Sequence, residues 1–384
     1  MRLAYAYNEI LPKRSAHDVY VARNAHALAA AGVETTLLVG RGGPHDAALL
    51  DHYRLDPLPT FRLARLPIVR RNLALPITLN AVFNWSAQSW LRRQRPDWLA
   101  LSVIKQGQFH LARRISGIRY VYEVHELAWY PGRDAGAPAI AARLAAERTM
   151  LAACDLVTVT TEALATILRQ PPYSLRVPIA VIPLATPPLL PAGPTEHRTP
   201  TLRLAYIGQL YREQGVELLL EALARTNSAE LDVIGGKEAE VAALRTTAQR
   251  LGIADRVRWH GFQAPAALPA LVAAADVCVA PFLSVGRMPY VAHTKLLEYI
   301  GWRRPVIAPR LPVVEEHFPD GAGAELYAAD DPAALAQAIE ALQQPDKLAQ
   351  RRCEIAAHRG CLDWAGRSAA YLAALEAVAA GQTL

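Results

Sequence analysis

The stretch HTKLLEYIGWRRPVIAP, residues 293–309, reads as a short helix that runs directly into an apolar strand. Lys295 and Glu298 lie three residues apart near the head of that helix, so they share a face. A helix start offers unpaired backbone N–H groups and a partial positive charge, and a lysine within it adds a full one. Two readings follow. The charges form a surface ion pair on an amphipathic helix, worth little energetically. Alternatively they form a site for phosphate and sugar hydroxyls, with Thr294 beside them, at the carboxyl edge of a parallel sheet. The second reading requires that the rest of the chain build such a sheet.

Working outward from this stretch, short apolar runs alternate with helical segments along the whole chain. In the second half the runs are LRLAYIG (202–208), LDVIGG (231–236), VRWHGF (257–262), VCVAPF (277–282) and PVIAP (305–309). In the first half they are LAYAY (3–7), TTLLV (35–39), WLALSV (98–103), YVYEV (120–124), LVTVT (156–160) and IAVIPL (179–184). Runs this continuously apolar, spaced by helices, predict parallel strands covered on both faces, an α/β architecture. Between the two series, residues 183–200 carry six prolines in eighteen positions. Prolines at that density continue neither a helix nor a central strand, so the segment joins two domains. The expected division is a first domain over 1–185, a Pro-rich linker over 186–200, a second domain over 201–361 and a terminal helix over 362–384 that packs back across the hinge.

Bulk composition agrees with that division. A chain of 384 residues with 52% hydrophobic and 20% charged residues can bury two ordinary cores. The opening MRLAYAYNEILPKR reaches a glutamate and two basic residues before any apolar run long enough for a signal peptide, and no uncharged apolar run reaches membrane-spanning length. Cys154, Cys278, Cys353 and Cys361 show neither metal-ligand spacing nor a disulfide pattern, which predicts a cytoplasmic protein. The net charge of +6 is uneven: residues 1–195 hold 22 basic against 13 acidic side chains. Such a half attracts anionic partners. Nucleic acid is not expected, because no binding motif or stacking platform accompanies the arginines. Residues 61–95 mix Arg with Leu, Phe and Trp, which suits either peripheral membrane contact or a scattered soluble surface.

Three further places could carry chemistry. The turn IGQLYREQG (207–215) places Gly208, where backbone can approach a ligand, beside Gln209, Arg212 and Gln214, which can reach phosphate oxygens; a tight turn alone would also explain the glycine. His125 and Glu126 follow the strand YVYEV, at the edge where ligands bind in open α/β sheets, though a structural histidine would fit there as well. The loop after the first strand offers Lys13, Arg14, Ser15 and His17 around a helix start. No zinc spacing, nucleophile elbow or Walker lysine is present, so neither metal nor cofactor is expected.

These segments resemble the retaining glycosyltransferases of family 4. AHALAAAGVETTLLV (25–39), ADVCVAPF (275–282), KLLEYIGWRRPVIAP (295–309) and VVEEHFPDGAGAEL (313–326) follow that family's order and spacing, and KLLEY before a Pro-Val strand resembles its KLxEY subgroup. The resemblance implies a GT-B fold of two facing Rossmann-like domains. It implies a nucleoside diphosphate sugar donor, with Glu298 on the ribose hydroxyls, Lys295 on the diphosphate and His125 on the donor sugar. It further implies a metal-independent reaction with retention on an acceptor hydroxyl carried by a sugar, a lipid-linked sugar or a small molecule. The chain also departs from the pattern. Tyr290 stands where a second glutamate is usual, and Gln209 and Gln214 stand where a cation pair is usual. Ser15, Ala16 and His17 replace a glycine pair, and the usual Asn-Gly-Val-Asp after Pro183 is absent. Two other readings therefore stay open: a GT-B scaffold or binding subunit without transferase activity, and a sugar-nucleotide epimerase or phosphorylase.

Overall fold

The computed structural model describes residues 1–13, 15–68, 79–186, 201–264, 267–358 and 363–382. Arg14, most of the expected linker (187–200), residues 69–78 and Cys361 lie outside that set.

The chain forms two compact units, Met1–Pro183 with Trp364–Leu384, and Leu184–Asp363. In unit 1 seven parallel strands form one sheet: β1 (Arg2–Ala6), β2 (Glu34–Gly40), β3 (Phe61–Leu66), β4 (Trp98–Leu101), β5 (Arg119–Val124), β6 (Leu156–Val159) and β7 (Ile179–Val181). Their order is β3-β2-β1-β4-β5-β6-β7, so the winding reverses between β1 and β4. The central strands are buried on both faces, with Leu3, Tyr5, Leu99 and Val121 essentially inaccessible. That burial is why these strands read as continuous apolar runs.

Helix α1 (Ala16–Ala30) starts where Ser15, its N-cap, accepts from the Asp18 backbone N–H at 3.1 Å. The last helix of the chain, Trp364–Ala379, belongs to this unit. Tyr371, Ala374 and Leu375 on it join the core cluster that holds Val21, Ala25 and Leu28 of α1.

Unit 2 repeats the architecture with six parallel strands. They are β8 (Leu202–Ile207), β9 (Ala229–Ile234), β10 (Val257–Gly261), β11 (Val277–Val279), β12 (Val306–Pro309) and β13 (Ala324–Tyr327), ordered β10-β9-β8-β11-β12-β13. Here the reversal falls between β8 and β11. In such sheets the crevice at the carboxyl ends of the two strands flanking the reversal is the place a ligand can enter.

Two strands were not expected. β3 and β13 each end their sheet on one side, as β7 and β10 do on the other, and their sequences FRLARL and AELY mix charged with apolar residues at that free edge. The finding for β3 also divides the 61–95 segment. Residues 61–66 are sheet and Leu79–Gln94 form a helix, so the described residues of the segment fall in two elements. Among the described residues no helix is long and apolar enough to cross a membrane.

Candidate functional site

In unit 2 a cleft of about 1000 Å³ opens at the carboxyl ends of β8, β9 and β10. Its wall includes Gly208 and Gln209 after β8, Gly235 to Lys237 after β9, His260 to Gln263 around the end of β10, and Glu298. Gly208 has φ +144°, and a Cβ there would lie 2.9 Å from Lys295 Nζ. Only a glycine lets the ammonium lie against the backbone at that point.

Lys295 and Glu298 sit on helix Thr294–Gly301, whose N-cap His293 makes no side-chain capping bond. The Leu296 N–H donates to the His293 carbonyl at 3.0 Å, and no side chain caps the turn before it. The His293 ring is used elsewhere: it stacks on Phe282 at 3.9 Å, its Nε2–H donates to the Met288 carbonyl at 2.8 Å, and burial holds its pKa down to about 3.

Lys295 does not pair with Glu298. Its ammonium donates to Gln214 Oε1 at 2.6 Å and to the Tyr206 hydroxyl at 2.9 Å, and it lies 4.2 Å from the Tyr206 ring centroid. Burial pushes its pKa down to about 7, against the smaller upward pull of Glu298. Burial likewise raises Glu298 to about 6, against the pull of Lys295. Among the described residues no donor hydrogen-bonds the Glu298 carboxylate, which borders the cleft with its acceptor capacity unspent.

The other residues singled out in the turn after β8 divide. Gln209 is exposed and lines the cleft, while Gln214 is drawn in by Lys295. Arg212 is exposed on the 3-10 turn Arg212–Gln214 and is not part of the cleft wall. Cations at the wall come instead from Lys237 and Arg245, on and just before helix Glu238–Arg250. The Gly235-Gly236 pair that ends β9 was a readable turn signal for that wall. Tyr206, which anchors Lys295 from inside β8, carried no signal beyond its strand.

In unit 1 a separate group gathers at the carboxyl ends of β4 and β5. His125 follows β5, and its ring meets His17 of α1 edge-on at 5.0 Å and Tyr20 at 5.0 Å. His17 Nε2 lies 3.3 Å from Ser102 Oγ, just past β4, and burial lowers the His17 pKa. Below His125 is Glu123, whose Oε1 lies 3.6 Å from His125 Nε2. That oxygen accepts from Tyr20 OH and, at 2.7 Å, from Arg367 of the last helix. Burial holds the His125 pKa down to about 4, with Glu123 pulling it up and His17 and Arg367 pulling it further down.

Ser15 is occupied as the α1 cap and donates to Asp18 at 2.5 Å, so its hydroxyl serves the helix start. Lys13 pairs with Glu9, and Glu126 is exposed. Among the described residues no group of three His, Cys, Asp or Glu is placed to hold a metal ion.

Two family models match this chain: "Glycosyl transferase 4-like domain" over residues 16–185 and "Glycosyl transferases group 1" over residues 201–344. The two matches meet the two units in turn and together cover four fifths of the chain. The chain belongs to the family-4 glycosyltransferases. No curated protein matches the enzyme by sequence.

Among solved structures, the transferase is similar to sucrose-phosphate synthase from Thermosynechococcus elongatus, with TM-score 0.71, 19% identity, and coverage of 99% of this chain and 100% of that one. It is similar to Anabaena HepE in complex with UDP, with TM-score 0.72, 15% identity, and coverage of 98% and 100%. It is also similar to the lipopolysaccharide outer core galactosyltransferase WaaB, with TM-score 0.69, 16% identity, and coverage of 98% and 99%. Likeness at these identities establishes the shared fold, GT-B with its two Rossmann-like units.

Proposed function

We propose that this glycosyltransferase takes a sugar from a nucleoside diphosphate sugar and transfers it to an acceptor hydroxyl with retention and without a metal. The observation that carries this reading is the juxtaposition, on one helix, of a Glu298 carboxylate that takes no donor among the described residues and borders the cleft, and a Lys295 ammonium that lies against Gly208 of the cleft wall. Glu298 then accepts two ribose hydroxyls, and Lys295 with the helix N–H groups holds the diphosphate. That HepE has been seen with UDP and with UDP-glucose supports the donor class.

In the reaction the bond from the anomeric carbon to the diphosphate oxygen breaks. The acceptor oxygen attacks on the same face, and its proton passes to the departing diphosphate. The protein's task is to stabilise negative charge growing on that leaving group. The test is a panel of nucleoside diphosphate sugars assayed for slow hydrolysis, with the anomeric configuration of the product read by NMR and chelator added in parallel. Inversion, or loss of activity in chelator, would overturn the mechanistic part.

One observation favours a second reading, a GT-B binding subunit without turnover: Arg212 is not part of the cleft wall, and the same turn carries glutamines at 209 and 214. The same panel separates the two, since a binding subunit hydrolyses no donor while still binding nucleotide.

The acceptor side of the proposal includes an anionic membrane surface. Residues 79–119 carry seven basic side chains and one acidic one. On this stretch Trp85 is 52% exposed, meets Phe109 edge-on at 5.2 Å, and is covered by the Arg113 guanidinium, also at 5.2 Å. Arginines around an exposed tryptophan suit a headgroup layer.

A further inference from the structure

We infer that Glu123 and Arg367 are positioning residues that fix the His125 ring as its Nε2–H tautomer, so that His125 meets its ligand with Nδ1 as a hydrogen-bond acceptor. The argument begins with Arg367, a guanidinium with 1% of its side chain exposed. Every arm of it is engaged. Nε donates to Asn24 Oδ1 at 3.3 Å, one terminal nitrogen donates to the Ile182 carbonyl at 2.5 Å and to that of Pro183, and the other donates to Glu123 Oε1 at 2.7 Å and to Tyr20 OH. A fork held at this many points cannot swing, so the carboxylate it grips is fixed too.

Glu123 is equally buried, and its Oε1 takes donors from both Arg367 and Tyr20. His125 Nε2 is sealed from water without a hydrogen-bond partner, and it faces this carboxylate at 3.6 Å. The distance is too long for a hydrogen bond but short for an electrostatic contact in a buried place. An imidazole lone pair aimed at a carboxylate is repelled, whereas an N–H dipole is attracted, so the proton belongs on Nε2. Nδ1 is not among the atoms sealed without a partner, and 24% of the His125 side chain is exposed.

The groups facing His125 are Glu123 on its own strand, His17 and Tyr20 on α1, and Arg367 on the last helix. Burial, helped by His17 and Arg367, outweighs the upward pull of Glu123 and keeps the ring neutral at neutral pH. A neutral ring with a fixed tautomer offers one kind of hydrogen bond only. It accepts from a hydroxyl and cannot donate to a phosphate or carbonyl. That the hydroxyl is a sugar's rests on the function proposed above; the tautomer does not.

The deciding experiment is nitrogen NMR of the full chain labelled with 15N-histidine, the His125 signals being assigned by their loss in His125→Gln. We expect a pyrrole-type Nε2 and a pyridine-type Nδ1 at neutral pH. The reverse pattern overturns the inference, and this readout needs neither turnover nor a mutant that leaves Arg367 unpaired. Kinetics supply the second arm. Glu123→Gln should lower kcat by about tenfold or more with little change in the donor KM, because the ring loses its fixed acceptor. In the His125→Gln background the same change should have no further effect. A full further drop there would assign Glu123 a merely structural role and overturn its positioning one. Absence of turnover with every donor would sink the transferase reading while leaving the tautomer measurement intact.

Discussion

Gln214 accepts a hydrogen bond from Lys295 at 2.6 Å, so an amide on the turn after β8 aims the ammonium of the helix Thr294–Gly301. Tyr206 completes the hold from the other side. Gln214 and Tyr206 therefore act on Lys295 as one arrangement.

Lys295→Ala should lower turnover on the order of 10²-fold, and more than it weakens donor binding, because charge on the leaving group grows in the transition state. Gln214→Lys alone should also be harmful, since it sets two ammonium groups within contact distance. In the Lys295→Ala background the same substitution should restore part of the rate. Steady-state rates of the four proteins form the cycle; an unaffected Lys295→Ala would remove the diphosphate from this helix start.

Glu298→Ala should weaken binding of a free nucleoside diphosphate by about 1.5–3 kcal/mol, the worth of hydrogen bonds to a charged acceptor. Calorimetry reads this directly. Equal affinity in the folded variant would mean that the carboxylate meets no ligand.

Nucleotide affinity should pass through a maximum between about pH 6 and pH 7. Glu298, raised to about 6 by burial, must be ionised to accept hydroxyls, so binding falls as pH drops below that value. Lys295, lowered to about 7 by burial, must be protonated to meet the diphosphate. Above that value binding has to take up a proton and weakens as pH rises. Titration calorimetry across pH 5 to 9, in buffers of differing ionisation enthalpy, gives both the profile and the proton uptake. A flat profile would contradict it.

Gly215→Ala should cost markedly more stability than Gly252→Ala. Both glycines have positive φ, 72° and 71°, so each alanine bears about 1–2 kcal/mol of left-handed strain. A Cβ at Gly215 would also fall 1.8 Å from the Pro281 carbonyl oxygen, whereas at Gly252 it meets nothing within 4 Å. Urea unfolding of the two variants measures the difference, which isolates the packing of the turn that carries Gln214.

Vesicles containing anionic lipid should retain the protein at low salt and release it at high salt, and Arg92→Glu with Arg93→Glu should abolish retention. Both arginines are exposed on the helix that carries Trp85. Co-sedimentation that is indifferent to lipid charge would assign the acceptor to solution.

The sequence showed the strands that lie between two helical layers, because burial on both faces leaves unbroken apolar runs such as LAYAY and YVYEV. It concealed β3 and β13, whose free edges admit Arg and Glu and so erase the run. KLLEY was legible for a similar reason: a charged pair beside an apolar strand is conspicuous. Which way the charges turn was not, since Lys295 is aimed by Tyr206, 89 residues away in the chain. Arg212 misled because a cation in a loop reads the same whether it faces a cleft or water. Arg367 was invisible among the alanines of a terminal helix, although its fork reaches the strand end that bears His125.

The return of that terminal helix to unit 1 makes the first unit discontinuous, with unit 2 inserted between its two pieces. During synthesis, therefore, the strands of unit 1 emerge before Tyr371 and Leu375, which belong to their core, and the whole of unit 2 is translated in between. The buried Glu123 carboxylate must stay without its guanidinium until Arg367 arrives, which makes the final helix the step that commits the early half of the chain.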